Sequence, residues 1–166
     1  MSTTDDRRRP GPPARLRGLP SRLLTQAAMH ADRLTTEGLA REEAHKWHYA
    51  VLASLEEFGP ASQAGLSRRT GIYRSDLVAV INELAGRGLV ERAPDPVDRR
   101  RNVITMTDGG RAQLGKLDEL IATLQADLLE PLSEPEREQF VGLLERLNDH
   151  HGKERQLWVD GSQAST

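Results

Sequence analysis

GIYRSDLVAVINELAGRGLVERAPDPVDRRRNVITMTDGG, residues 71–110, reads as a helix, a strand, a charged turn and a second strand before a further helix opens. Leu77, Val80, Ile81 and Leu84 recur at the spacing that lines one face of an α-helix. Gly86 and Gly88 follow, and glycine ends a helix in the left-handed conformation without a Cβ penalty. Leu89 to Arg92 is extended in character. Pro94 and Pro96 are expected to break it, because neither can donate to a ladder. Val103 to Thr107 is β-branched and reads as the return strand. Between the strands, Asp95 to Asn102 carries Arg99, Arg100 and Arg101 in succession. Arginines at a hairpin tip have few apolar neighbours, and their natural partner is an anion.

Upstream, Ser62 to Thr70 reads as a short helix with Ser62 as its N-cap and Leu66 inward, and Gly71 supplies a tight turn. Two helices joined by a glycine turn make a helix-turn-helix unit. With the basic hairpin after it, the pattern is a winged helix-turn-helix, whose second helix enters a DNA major groove while the hairpin reaches the flanking backbone or minor groove. The fold class expected is mainly α with a small β-hairpin wing. Tyr73, a large aromatic residue before the reading helix, leaves the cap of that helix undefined by sequence.

The order GLVER, DPVDRRRNV, ITMTDGGR closely resembles the multiple-antibiotic-resistance-regulator (MarR) family of bacterial transcription factors, over roughly Leu39 to Leu128. The resemblance implies a ligand-responsive dimer, usually a repressor, held together by N- and C-terminal helices. It implies an Asp and an Arg at the spacing of Asp98 and Arg100 that hold the wing, and an effector pocket bounded by the first two helices. An interaction module that keeps the winged helix but not DNA binding is the alternative, and the triple arginine argues against it.

Charge is distributed unevenly around a net of −2. Residues 1–22 hold six Arg against two Asp, residues 68–101 eight Arg against five acids, and residues 102–166 six basic against twelve acidic residues. The basic charge lies on the proposed reading segment and the N-terminal arm. Residues 1–20, rich in Arg and Pro, are expected to be a disordered basic arm. Residues 21–152 form the MarR-like domain, with 39–108 the winged helix-turn-helix and 21–38 and 109–152 the dimerisation helices. Residues 153–166 are expected to be a polar tail.

Within that plan, Ser21–Gly38 is expected to be a helix with Leu23, Leu24, Ala27, Ala31 and Leu34 inward, and Glu42–Phe58 a second. A long helix, Arg111–Glu130, carries Leu114, Leu117, Ile121, Leu124 and Leu128 at alternating spacings of three and four, the seam of a two-helix contact. Ser133-Glu134-Pro135-Glu136 is a capping box for the last helix.

Phosphate contacts are expected from Arg68 and Arg69 and from the wing residues Arg99, Arg100 and Arg101, with Asp98 orienting one guanidinium. Base reading falls to Arg74, Ser75, Asp76, Ala79 and Asn82; Arg can pair bidentately with guanine and Asn with adenine. Arg22, His30, Arg33, His45, Trp47, His48 and Tyr49 supply the cationic and aromatic groups of the implied effector pocket, and point to a small anion such as an aromatic carboxylate. His45 and His48, three apart, could share a metal, but two ligands do not make a site and no cysteine or nearby third histidine is present. No metal and no cofactor are therefore expected. No Ser-His-Asp signature, phosphate-binding glycine loop or HExxH pattern suggests an enzyme. The partners expected are a palindromic operator in double-stranded DNA, a second copy of the chain and a small-molecule effector. With no signal-peptide h-region and no apolar run of bilayer length, the expected location is the cytoplasm.

Arg100→Ala is expected to weaken DNA binding by about 1–3 kcal/mol while leaving the fold intact. A salt titration that gives equal affinities for mutant and wild type would refute this role.

Overall fold

A computed structural model describes residue 11 and residues 13–99 and 102–161, with side chains as far as residue 152. The elements are α1 (Ala14–Arg17), α2 (Pro20–Ala40), α3 (Lys46–Phe58), β1 (Ala61–Ser62), α4 (Gln63–Thr70), α5 (Arg74–Gly86), β2 (Val90–Pro94), β3 (Asn102–Met106), α6 (Asp108–Leu128) and α7 (Glu134–Gly161). The chain divides after Leu124 into two compact units. Arg100, Arg101 and most of the basic arm lie outside the described residues.

In the first unit, α5 buries Leu77, Val80, Ile81 and Leu84, the four positions its periodicity selects. They join Leu52 and Leu55 of α3, Leu66 of α4, Ile104 of β3 and Leu117 of α6 in one core. Gly71 has φ 71° and ψ 7° and turns the chain sharply between α4 and α5. Ser62 Oγ accepts from Gly65 N at 3.1 Å, capping α4 as its position predicts. Tyr73 stands at the N-cap of α5 with no side-chain cap bond.

The hairpin is wider than expected. β2 and β3 pair antiparallel from Val90↔Met106 to Pro94↔Asn102, so Pro94 closes the strand instead of breaking it. That is tolerated at the last position of an edge strand, where a missing N–H disrupts no further rung. β1, too short to register as a pattern, adds a third strand by pairing Ala61 with Ile104, giving the order β1-β3-β2. Thr107 lies beyond the strand and caps the following helix: its Oγ1 accepts from Gly110 N at 3.0 Å and donates to Gly88 O at 2.7 Å.

Other expectations need correction. α2 continues past Gly38 to Ala40, and Gly38 faces Leu124, where a Cβ would collide with the leucine side chain. Leu23 and Leu24 of α2, expected inward, are 50% and 41% exposed. The part of the leucine seam in the first unit makes its contact within one chain: Leu114 and Leu117 belong to the core and Leu124 lies on Gly38. Exposed apolar side chains on the terminal helices include Leu16, Leu19, Leu23, Leu24 and Met29 in the first unit, and Val141, Leu143 and Leu147 in the second. α3 starts at Lys46, not Glu42, because Glu43 takes φ 52° and interrupts the helical path. In the N-terminal arm, Ala14–Arg17 forms a helical turn.

In the second unit, Ser133 N and Oγ donate to Glu136 Oε2 at 2.8 and 2.7 Å, the reciprocal half of the expected capping box. Those bonds hold the Glu136 carboxyl below its ordinary range. α7 then runs to Gly161, so much of the expected polar tail is helical. Gly152 does not stop it, and between Lys153 and Asp160 the sequence offers neither glycine nor proline. Among the described residues no helix is long and apolar enough to cross a membrane.

At Gly110, a Cβ would run into the backbone carbonyl oxygen of Leu89. Backbone cannot step aside as a flexible side chain does, so Gly110→Ala is expected to cost at least about 1–3 kcal/mol. Urea unfolding of the mutant should show a lower midpoint; an unchanged midpoint would contradict the close approach.

Candidate functional site

The face of α5 opposite the core presents Arg74, Ser75, Val78, Ala79, Asn82 and Glu83 to solvent, with Asp76 partly covered. Ser75 Oγ lies 3.5 Å from Asp76 Oδ1. Asn82 is already engaged: its Oδ1 accepts from Arg92 Nη2 of β2 at 2.6 Å. A concave groove of about 540 Å³ lies beside the start of α5, bordered by Arg68 and Arg74, by Ser62 and Gln63 at the start of α4, and by Asn102 at the foot of the wing. Two guanidinium groups on a groove of this shape make an anion-binding surface. Arg69, one residue on, instead stacks over the Phe58 ring at 5.1 Å from its centroid. At the wing, Asp95 Oδ1 accepts from Val97 N at 2.8 Å and Asp98 N at 3.4 Å, so Asp95 shapes the turn that leads to exposed Arg99.

A second cluster joins α5 to the start of α3. His45 caps α3, its Nδ1 accepting from Trp47 N at 3.3 Å. His45 Nε2 and His48 Nε2 reach the same Glu83 oxygen, at 3.2 and 2.8 Å. The two imidazoles stack with centroids 3.6 Å apart. Burial pushes the His48 pKa down; His45 and Arg87 push the same way, and together they outweigh Glu83. Hydrogen bonds from His45 and His48 hold the Glu83 carboxyl below its usual range. Arg87 donates to the carbonyls of Glu43 at 2.6 Å and Glu42 at 3.5 Å, fixing the loop that precedes α3.

A sequence model of the MarR family matches residues 38–101, from the end of α2 to the wing tip. Over 99 residues the chain is 33% identical to a Thauera aromatica protein assigned to transcriptional regulation of the hcr operon, an alignment covering 60% of each chain. A Pseudomonas aeruginosa protein assigned as a transcriptional regulator is 32% identical, with a TM-score of 0.71, and the match covers 78% of this chain and 97% of that one. The chain belongs to the MarR family. Mutant MarR from E. coli, complexed with operator DNA, shares the MarR fold with it at a TM-score of 0.68 and 25% identity, covering 76% of this chain and 91% of that one. The chain spans about three fifths of the length of the curated relatives it matches.

On the MarR frame, the residues expected to bind DNA fall into distinct groups. Arg74, Ser75 and Ala79 are exposed on one helix face, and Arg68 borders the groove beside them. Arg69 and Asn82 are held by Phe58 and Arg92. Arg99 and Asp98 flank the wing tip, while Arg100 and Arg101 lie outside the described residues. The seven residues expected at an effector pocket divide between the start of α3 and the length of α2. His45 and His48 turn to Glu83, and Tyr49 donates to Asp118 Oδ1 of α6 at 2.9 Å. Burial, then Asp118, raises the Tyr49 pKa. Trp47 is 37% exposed at the start of α3. Arg22, His30 and Arg33 lie along α2. A cleft of about 320 Å³ beside α2 is lined by small side chains and by Asp32 and Lys46, which pair at 3.3 Å. Glu83 was missed by sequence reasoning, since nothing local ties it to histidines 35 and 38 positions earlier.

The cluster carries a pH dependence whose sign follows from these shifts. The folded His48 pKa lies below the unfolded value of 6.5, so the unfolded chain takes up its proton first as the medium acidifies. Its stabilising contribution is complete above pH 6.5 and is lost as pH falls from there through the folded value. Glu83 adds a loss in the same direction below its ordinary 4.5. The urea midpoint is expected to fall between pH 7.5 and 5.5, and to fall less in His48→Gln. A midpoint that rises on acidification, or an identical fall in the mutant, would contradict the assignment.

Proposed function

We propose that this chain is a dimeric DNA-binding transcription regulator, a repressor that a small organic anion releases from a two-fold operator. The observation that carries this is α5 itself: four leucine, valine and isoleucine side chains sealed inward hold Arg74, Ser75 and Ala79 outward beside a groove bordered by Arg68. That face suits base edges in a major groove, with Arg68 on a phosphate and the arginine wing on the flanking backbone. Residues 39–108 form the reading head in this proposal, and 21–38 and 109–152 the dimerisation helices. Exposed Leu19, Leu23 and Leu24, and separately Val141, Leu143 and Leu147, support a second copy as the cover for these segments. Dimerisation places two heads on half-sites about 34–36 Å apart, which gives the contact number an operator needs. The role is one of binding, without catalysis, and the place of action is the cytoplasm.

For the effector, Arg22, His30 and Arg33 on α2 remain the candidate cations, with Trp47 as an aromatic surface. His45, His48 and Tyr49 drop out of the proposal because their partners are internal acids. Release requires the anion to bind the DNA-free arrangement of the dimer more tightly than the DNA-bound one.

The test is fluorescence anisotropy on a duplex from upstream of the chain's own gene, titrated with salt. Arg74→Ala is expected to lose about 1–3 kcal/mol, and Arg68→Ala to lower the salt slope by about one. Aromatic carboxylates should release the duplex from wild type more readily than from His30→Ala. Absence of binding at low salt, or indifference to both arginine mutations, would overturn the DNA reading. Release by neutral compounds alone would overturn the anion.

A further inference from the structure

The His45–His48–Glu83 cluster has the donor set of a metal site. One ligand atom from each of the three lies within 4.8 Å of the other two. In a tetrahedral site with bonds of about 2.0–2.2 Å, donor atoms stand roughly 3.3–3.6 Å apart. Here the two imidazole Nε2 atoms lie 3.2 and 2.8 Å from Glu83 Oε2, and the two stacked rings must turn out of parallel for both Nε2 lone pairs to meet one ion. His48 is buried, while Glu83 keeps 54% of its side-chain surface exposed and leaves a way in from solvent.

We propose that His45, His48 and Glu83 bind a divalent first-row transition-metal ion that ties the reading helix α5 to the start of α3. Two imidazoles and one carboxylate suit zinc, cobalt, nickel or copper better than calcium or magnesium, which prefer all-oxygen shells. Water completes the coordination. The protons now shared with Glu83 must leave Nε2, and in the neutral imidazoles they move to Nδ1. For His48 the ion replaces the Nε2 bond to Glu83, and the proton's arrival at buried Nδ1 displaces nothing, since that atom has no hydrogen-bond partner among the described residues. For His45 it replaces the bond from Trp47 N, so metal binding alters the first turn of α3. The Trp47 ring, edge-on to His45 at 6.1 Å, is positioned to report that change. Arg87 is the positive charge that opposes the ion, and Glu83 is the negative charge that offsets it. The metal site stands on these side chains alone; its effect on DNA affinity rests on the proposed reading of α5.

The test uses the full chain in a Trp158→Phe background, titrated with Co²⁺. One equivalent per chain is expected, with the visible d–d absorption of nitrogen- and oxygen-bound cobalt and a change in Trp47 emission. Glu83→Gln and His45→Gln, both at partly exposed positions, should each weaken binding by at least about tenfold, no less than loss of a supporting contact to a metal ligand does. A paired His150→Ala, His151→Ala variant should bind as wild type does. Zn²⁺ should displace the cobalt and raise the melting temperature of wild type more than that of Glu83→Gln. Absence of absorption and emission change, full affinity in Glu83→Gln, or loss of binding in the His150/His151 variant would overturn the site. DNA affinity measured with and without Zn²⁺ is a separate arm, so the cobalt spectra decide the metal site even where an operator assay fails.

Discussion

Leu77, Val80, Ile81 and Leu84, each 2% exposed or less, seal α5 into the core that α3, α4, β3 and α6 also line, and the direction of its outer face follows from that contact. Withdrawing each from water contributes about 1.5–3 kcal/mol, so a rotation that turned Arg74 inward would lose several such contributions together. Glycines with positive φ turn the chain on either side of it, Gly71 at the end of α4 and Gly88 just past the end of α5. The outward face of α5 is therefore held by the least polar residues of the segment, none of which touches solvent appreciably.

Around this core the cations divide by task. Arg92 holds Asn82, Arg69 lies on Phe58, and Arg87 gathers the carbonyls before α3. Each is fixed by an internal partner. Arg68, Arg74 and Arg99 are exposed, the first two on one groove. Counting arginines in the sequence gives the charge of the segment, but only the fold separates those engaged internally from those left exposed.

How far the sequence reaches can be judged from particular residues. Periodicity selects the buried face of α5 correctly, and the cap at Ser62 and the Glu136 half of the capping box at Ser133 act as their spacing indicates, because each depends on neighbours within a few positions. Pro94 is misjudged because the rule against proline in strands weakens at the end of an edge strand. β1 escapes notice because two residues carry no alternation. The leucine seam of α6 is recognised as a helix contact, yet periodicity cannot say whether the facing helix belongs to the same chain; Gly38 answers that with the room it leaves for Leu124. The Glu83 cluster and the engagement of Asn82 by Arg92 were illegible for one reason: their members meet only through tertiary structure.

Thr107 ends the wing and begins α6 with a single hydroxyl, donating to the carbonyl of Gly88 and accepting from the amide of Gly110. Beside it, Gly110 lies so close to the Leu89 carbonyl that no side chain fits between them. Hairpin and helix thus share one pivot with no slack. Any side chain at this corner would have to push the Leu89 carbonyl aside, so the joint between hairpin and helix tolerates only the bare backbone of glycine.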